Sequence, residues 1–374
     1  MSTSLTQEER LRYSRHISLH EVGVAGQEKI KAASVLVIGA GGLGCPALQY
    51  LAAAGVGRIG IIDFDKVDVS NLQRQILYTT ADIDKYKAEA AAMHLSANNP
   101  LVIFHTYTEQ LNKTNALSIL ESYDIIVDGS DNFSTRYLVN DACVMLNKPL
   151  IFGSIFKFDG QVAVFNYTDA KGNKGPTYRC LYPEPPADGE MPSCSEIGVL
   201  GVLPGIIGTL QANEALKLIL ELGNPLSGKL FTLDALSMQT HLFDIKTNPE
   251  NYAIQELGEY DFSCQIPTLQ EVITVQELKT LMDQQAEFLL LDVREQYEYD
   301  ICHIEGSLLI PLSTVPQHLS DLPKDKNIVI LCHLGMRSAS AVNYLKANGF
   351  EKVSNLLGGI NSWAVEVDDS VAIY

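Results

Sequence analysis

The chain has little positive charge for its size: 27 Lys and Arg stand against 45 Asp and Glu, a formal net charge of −18. That balance repels a phosphate backbone or an anionic lipid surface, so neither nucleic acid nor membrane is expected as the main partner. Residues 1–15 are polar and lack an apolar run followed by small residues at a cleavage site, which excludes an ordinary secretory signal and points to the cytoplasm. Two uncharged stretches, 32–57 and 197–213, would register on a hydropathy scan. A glycine turn and Pro46 break the first, and Gly198, Gly201, Pro204, Gly205 and Gly208 break the second, so strands, turns and helices are expected instead of a membrane span. Disulfides are not expected, because Cys45, Cys143, Cys180, Cys194, Cys264, Cys302 and Cys332 form no framework of close pairs. Cys45 and Cys143 lie in apolar, helix-like surroundings and read as small core residues. No internal repeat or low-complexity tract is visible. What remains is 374 residues, 46% of them hydrophobic, enough for more than one real core.

The most informative stretch is 34–75. Residues 34–38 read as a buried parallel strand, Gly39-Ala-Gly41-Gly42-Leu-Gly44 as a tight turn, 45–55 as a helix and 58–63 as a second strand. Gly39, Gly41 and Gly44 let the backbone turn sharply so that N–H groups at the helix start can approach phosphate oxygens. Asp63 ends the second strand, 24 residues after Gly39, where a carboxylate accepts hydrogen bonds from ribose hydroxyls. Alone, these features specify a nucleotide without saying which, and an NAD-dependent oxidoreductase stays open.

Beyond the acid, Asp63-Phe-Asp65-Lys-Val-Asp68-Val-Ser70-Asn71-Leu72-Gln73-Arg74-Gln75 packs carboxylates, amides and an arginine just past the strand end, where ligands bind in doubly wound sheets. An arginine suits a polyphosphate through bidentate contacts, and Asp65 or Asp131 can hold Mg²⁺ by one carboxylate plus water. Hydride transfer requires none of this.

With Arg12-Tyr-Ser-Arg15, GAGGLG, DFDxVxxSNLQRQ, Lys87 in YKAEAA, Asp128-Gly-Ser-Asp131-Asn132 and Pro192-Ser-Cys194 before GVLGVLPGIIGTLQANEALKLIL, residues 11–243 resemble the ubiquitin-activating-like adenylyltransferases of the MoeB and ThiF type. The resemblance implies a Rossmann-like doubly wound α/β domain. It implies that Gly42, Asp63, Ser70, Asn71, Leu72, Gln73, Arg74, Lys87, Asp131 and Asn132 bind ATP and its Mg²⁺, with Asp131 nearest the metal. It also implies a homodimer in which Arg15 reaches the phosphates of the neighbouring subunit, and a Cys194 able to bond covalently to the substrate protein.

The strand and helix pattern weakens after Lys246. We expect an ATP-binding domain over 1–248, a linker over 249–270 and a smaller domain over 271–374. Residues 160–165 and 229–233 read as strands completing the first domain. In the second, Thr274 caps a short helix with Glu277 three residues on, 288–293 and 327–331 are strands, and a helix over 338–347 stops at Gly349. Cys332-His-Leu-Gly-Met-Arg337 lies between strand and helix, where the helix dipole and successive N–H groups favour a thiolate, so Cys332 is expected as a nucleophile with Arg337 adding positive charge.

Four residues separate Cys332 from Arg337, a length that fits a sulfur atom better than the five-residue phosphate cradle of tyrosine phosphatases. With DVREQYEYDICHIEGSLLIPL and LLGGINSW, residues 274–374 resemble a rhodanese domain, whose nucleophile carries sulfur as a persulfide. His333 stands where that family often has arginine. The fusion resembles bifunctional proteins that adenylylate the Gly-Gly terminus of a small ubiquitin-like sulfur carrier and then help sulfurate it, with a separate sulfur donor. Molybdopterin synthase is the expected destination, with thiamine, cysteine and tRNA-thiolation carriers as alternatives and a non-catalytic carrier-binding scaffold as another class. One family feature is missing. The two Cys-x-x-Cys pairs of a structural zinc would fall at Thr177 and Cys180 and near Asn251 and Ile254, leaving one thiol, so no structural zinc is expected.

Overall fold

The structure, a computed structural model, describes residues 4–185, 198–260 and 272–373, which fall into two compact units. In the first, short strands pair in parallel, those at the centre apolar and buried: β1 (Ser34–Ile38), β2 (Arg58–Ile62), β3 (Ile103–Tyr107), β4 (Ile125–Asp128) and β5 (Leu150–Phe156). Val37 lies between Ile61 and Val127 in register. β6 (Asp159–Phe165), β7 (Lys229–Asp234) and β8 (Thr240–Asp244) continue the sheet antiparallel, in the order β3-β2-β1-β4-β5-β6-β7-β8. The reversal after β5 has a local cause. Only Lys157 and Phe158 join β5 to β6, Lys157 with φ of 55°, and so short a turn permits a hairpin but no crossover.

The helix Gly44–Ala54 packs against Val202–Leu220, the 19-residue helix that the second uncharged stretch forms. Gly208 is needed there, since a Cβ would sit 2.1 Å from the Leu43 carbonyl oxygen. Among the described residues no helix is long and apolar enough to cross a membrane. Cys45 and Cys143 are fully buried, and burial pushes the Cys45 thiol up to about 12. The stretch expected as a linker starts on this unit: after a turn at Pro249–Tyr252, the buried Tyr260 hydroxyl donates to Asp141 Oδ2 at 2.7 Å, and Arg179 pairs with the same carboxylate. Its remainder, with Cys264, lies outside the described residues.

The second unit holds an all-parallel sheet, β11-β10-β12-β13-β9, from β9 (Val272–Ile273), β10 (Phe288–Asp292), β11 (Leu308–Leu309), β12 (Asn327–Leu331) and β13 (Val353–Leu356). The expected capping box opens its first helix, Val275–Asp283: Thr274 Oγ1 accepts from Glu277 N at 3.2 Å, and Glu277 Oε2 accepts from Thr274 N at 2.8 Å. The helix after Cys332 runs Met336–Ala347, two residues earlier than expected, which moves Arg337 from the loop's end into the first helical turn. Gly335 makes this possible by entering the helix at φ of 98°.

Candidate active sites

The carboxyl ends of β1, β2 and β4 open onto one cavity of about 320 Å³. Gly39, Gly41 and Gly42 form one wall. Gly39 has φ of 83°, and a Cβ on Gly44 would lie 1.9 Å from the Gly39 carbonyl oxygen, so both positions demand glycine for the turn itself. Asp63 is fixed from two sides: its Oδ2 accepts from Ala40 N at 2.8 Å and its Oδ1 from Asp65 N at 2.9 Å. Burial raises its pKa, and the Lys87 charge opposes that rise. Lys87 is itself buried, with Nζ 2.9 Å from Asp65 Oδ2. Asn71, Arg74, Asp131 and Asn132 complete the ring, and Arg74 Nη1 donates to Ser70 O at 3.1 Å.

The cavity thus gathers Gly39, Gly41, Gly42, Asp63, Asp65, Asn71, Arg74, Lys87, Asp131 and Asn132. Four residues named with them do not line it. Gly44 sits behind the turn, Ser70 donates N–H and O–H to Asp68 Oδ1, Leu72 packs on the apolar core, and Gln73 is exposed. Arg15 is exposed on the short helix Ser14–Ile17 and does not line this cavity. Cys194 lies outside the described residues.

Among the lining residues that the sequence did not single out, Arg136, Ser130 and Gln75 carry buried polar atoms. Arg136 is buried between the Phe133 and Phe152 rings, 5.6 and 5.5 Å from their centroids, and donates through Nη2 to Ser130 O. Its Nε has no protein partner, nor do Ser130 Oγ and Gln75 Oε1. Buried polar atoms without partners on a cavity wall are sites for ligand hydrogen bonds. The available signal was spacing, since Arg136 falls one helical turn after Asn132, which caps Phe133–Leu146 by accepting from Thr135 N at 2.8 Å.

In the second unit Cys332 directly follows β12, nearly fully buried, and its sulfur accepts from Gly335 N at 3.1 Å and Ser338 Oγ at 3.3 Å. Both donors sit where negative charge on sulfur would gather. The segment after β13 supports the loop from beneath: Ile360 N donates to Cys332 O at 2.9 Å and Asn361 N to His333 O at 3.1 Å. A Cβ on Gly359 would lie 2.3 Å from Cys332 O, which explains the paired glycines of LLGGINSW. Arg337 forms a bidentate pair with the buried Glu298 at 2.6 and 2.7 Å. Arg294 is fully buried on Asp292, so the DVR motif builds the core of this site.

Three of the residues at the family's zinc positions, Thr177, Cys180 and Asn251, meet through hydrogen bonds. Cys180 Sγ accepts from Asn248 N at 3.3 Å, and from Thr177 N and Asn251 Nδ2 at 3.4 Å. Burial by itself would raise the thiol's pKa, and these donors outweigh it and lower it. One sulfur ringed by N–H donors does not fit a tetrahedral zinc site.

The ThiF family model matches residues 13–254, and a rhodanese-like domain model matches 274–366. The chain belongs to the ThiF family and carries a rhodanese-like domain. It is 44% identical to the probable adenylyltransferase/sulfurtransferase MoeZ of Mycobacterium tuberculosis over all of this chain and 97% of that protein. It is 52% identical over 69% of its length to a sulfur carrier protein adenylyltransferase of Thermus thermophilus, covering 98% of that protein. Among solved structures, E. coli MccB with ATP shares the fold of the first unit, with a TM-score of 0.56 and 24% identity over 68% of this chain and 75% of that one. The chain is an adenylyltransferase and sulfurtransferase that uses ATP, and the hydride-transfer and scaffold alternatives fall away.

Proposed function

We propose that the protein activates a small ubiquitin-like sulfur carrier ending in Gly-Gly, of the molybdopterin synthase small-subunit type, and delivers its sulfur. The reading rests on one observation: glycine turn, ribose-binding acid, arginine, lysine and a second strand-end carboxylate share a single cavity. The name of the T. thermophilus relative supports the substrate class. The carrier's terminal carboxylate attacks the α-phosphorus of ATP, the bond to the β-phosphate oxygen breaks, and pyrophosphate leaves an acyl-adenylate. Arg74 and Lys87 offset charge on the phosphates, which is positioning plus electrostatics. Asp131 or Asp65 would hold Mg²⁺, which would supply Lewis-acid neutralisation of the phosphate oxygens. Arg15, exposed and away from its own cavity, suits contact with the neighbouring subunit's ATP in a homodimer.

The terminal sulfur of a Cys332 persulfide then displaces AMP, giving an acyl disulfide. A second thiol cleaves its S–S bond, releasing the thiocarboxylate and leaving Cys332 in a disulfide with that thiol; the covalent bond expected of Cys194 is one to the carrier. Such chemistry belongs in the cytoplasm, where ATP is supplied and thiols are kept reduced. The test adds candidate carriers with labelled pyrophosphate and follows label into ATP, then weighs the carrier for a thiocarboxylate. Exchange that no Gly-Gly-ending carrier supports would defeat the proposal.

A further inference from the structure

We propose that Glu298 determines which sulfur donor Cys332 accepts: by clamping Arg337 it leaves the loop neutral and apolar, favouring a thiol-borne persulfide over a small sulfur dianion. The inference rests on Cys332 being the sulfur-accepting atom. Glu298 is on the helix Gln296–Ile301 and its carboxylate is almost wholly buried, yet it takes both terminal nitrogens of Arg337, in the first turn of the helix after the loop. The next residue, Ser338, is the one that donates to Cys332 Sγ. The charges of the pair are felt at His333, the residue after Cys332, and are already matched to each other. The other arginine of the site, Arg294, is matched by Asp292.

The remaining loop side chains add no cation. His333 is held toward its neutral form, chiefly by burial. Leu334 and Met336 are exposed, as is Leu357 beside the glycine pair that supports the loop. Over residues 272–374 there are seven Lys and Arg against fourteen Asp and Glu. A dianion approaching Cys332 meets net repulsion and an apolar rim. A persulfide carrying one negative charge or less on an organic body meets less repulsion and a surface it can pack against. The transfer itself is balanced: the Cys332 thiolate attacks the sulfane sulfur, the donor's S–S bond breaks as the new one forms, and the donor leaves as its thiolate, or as sulfite from thiosulfate.

The experiment measures persulfide on Cys332 of the full-length protein, by mass, with cysteine persulfide and with thiosulfate. Wild type should favour cysteine persulfide. Glu298→Gln removes the anion that neutralises Arg337, and should raise kcat/KM for thiosulfate about tenfold, through KM, on the scale of one charge-assisted hydrogen bond. The double variant E298Q/R337Q, again neutral, should return to wild-type selectivity, which a merely structural role for Glu298 does not predict. In wild type the KM for thiosulfate should fall as salt screens the unit's negative charge, a readout that holds even where a variant fails to fold. A folded Glu298→Gln protein with the wild-type donor ratio, or a thiosulfate KM that rises with salt, overturns the proposal. A wild-type protein that gains no sulfur on Cys332 from either donor overturns instead the reading beneath it.

Discussion

Asp131 faces the nucleotide cavity from just past β4, while Cys332 is buried in a loop that a separate parallel sheet supports. Each can be removed without touching the other's partners. Asp131→Ala is expected to abolish ATP–pyrophosphate exchange and leave persulfide formation near wild type, and Cys332→Ala to do the reverse; assaying both activities on one preparation checks this, and joint loss in a folded variant would contradict it. Cys180 gives a second test at this scale. Elemental analysis of the purified protein should find no stoichiometric zinc, since one thiol ringed by Thr177, Asn248 and Asn251 donors supplies a single ligand. About one zinc per chain surviving chelator, and lost in Cys180→Ser, would refute that. Asp63, Arg74 and Asp131 were legible because each stands in a polar run beyond a strand end, whereas Lys87, at the start of the helix Lys87–Asn98, was named only through the family resemblance. Arg136 was not legible, because its spacing from the Asn132 cap does not by itself tell an inward guanidinium from a surface one until β5 brings Phe152 against it.

The elements that deliver these residues carry their own tests. Lys87 is brought to the cavity by a strap over 79–87 laced to the chain at 65–67: Val67 N donates to Lys85 O, Asp84 N to Val67 O, and Lys87 N to Asp65 O. The buried Asp82 anchors it, accepting from Thr79 N and Oγ1, Lys85 Nζ and His94 Nε2 at 2.7 to 3.0 Å. Burial alone would raise its pKa, but bonds from His94, Thr79 and Lys85 hold the carboxyl below the usual range. A depressed folded-state pKa means this stabilisation is complete above the ordinary carboxylate value and is lost as pH falls through the folded one. Asp82→Asn should therefore cost about 2 kcal/mol near neutrality, with the gap to wild type narrowing below about pH 4. Thermal unfolding from pH 7 downward measures it, and a gap constant into acid would show that charge is not the cause.

At the scale of the molecule, two cores mean two unfolding events. The first unit centres on β1, β2 and the helix Gly44–Ala54, the second on β10, β12 and Trp363. Thr274→Ala removes the capping box that starts the second unit, and should lower that unit's stability by about 1 kcal/mol. Calorimetry should show the shift in one transition only, with ATP–pyrophosphate exchange unchanged below it. Loss of exchange in step with the second unit's melting would mean the two unfold together. The strong negative charge bears on partner choice at the same scale, and a carrier protein would be steered by basic residues of its own.

The sequence alone determined the two α/β units, the glycine turn, the acids at the strand ends and the cysteine between strand and helix. These are local: a strand's apolar run, a glycine's positive φ and a cap three residues from its partner are set by neighbours in the chain. Only the tertiary structure decided the reversal of the sheet after β5, the place of Arg136 on the cavity wall, the hydrogen-bonded Cys180 and the pairing of Arg337 with Glu298. The reversal hangs on one short turn, and the other three on partners 16 to 71 residues distant. The energy of a long-range contact depends on which groups burial removes from water together, and that is settled when distant segments pack.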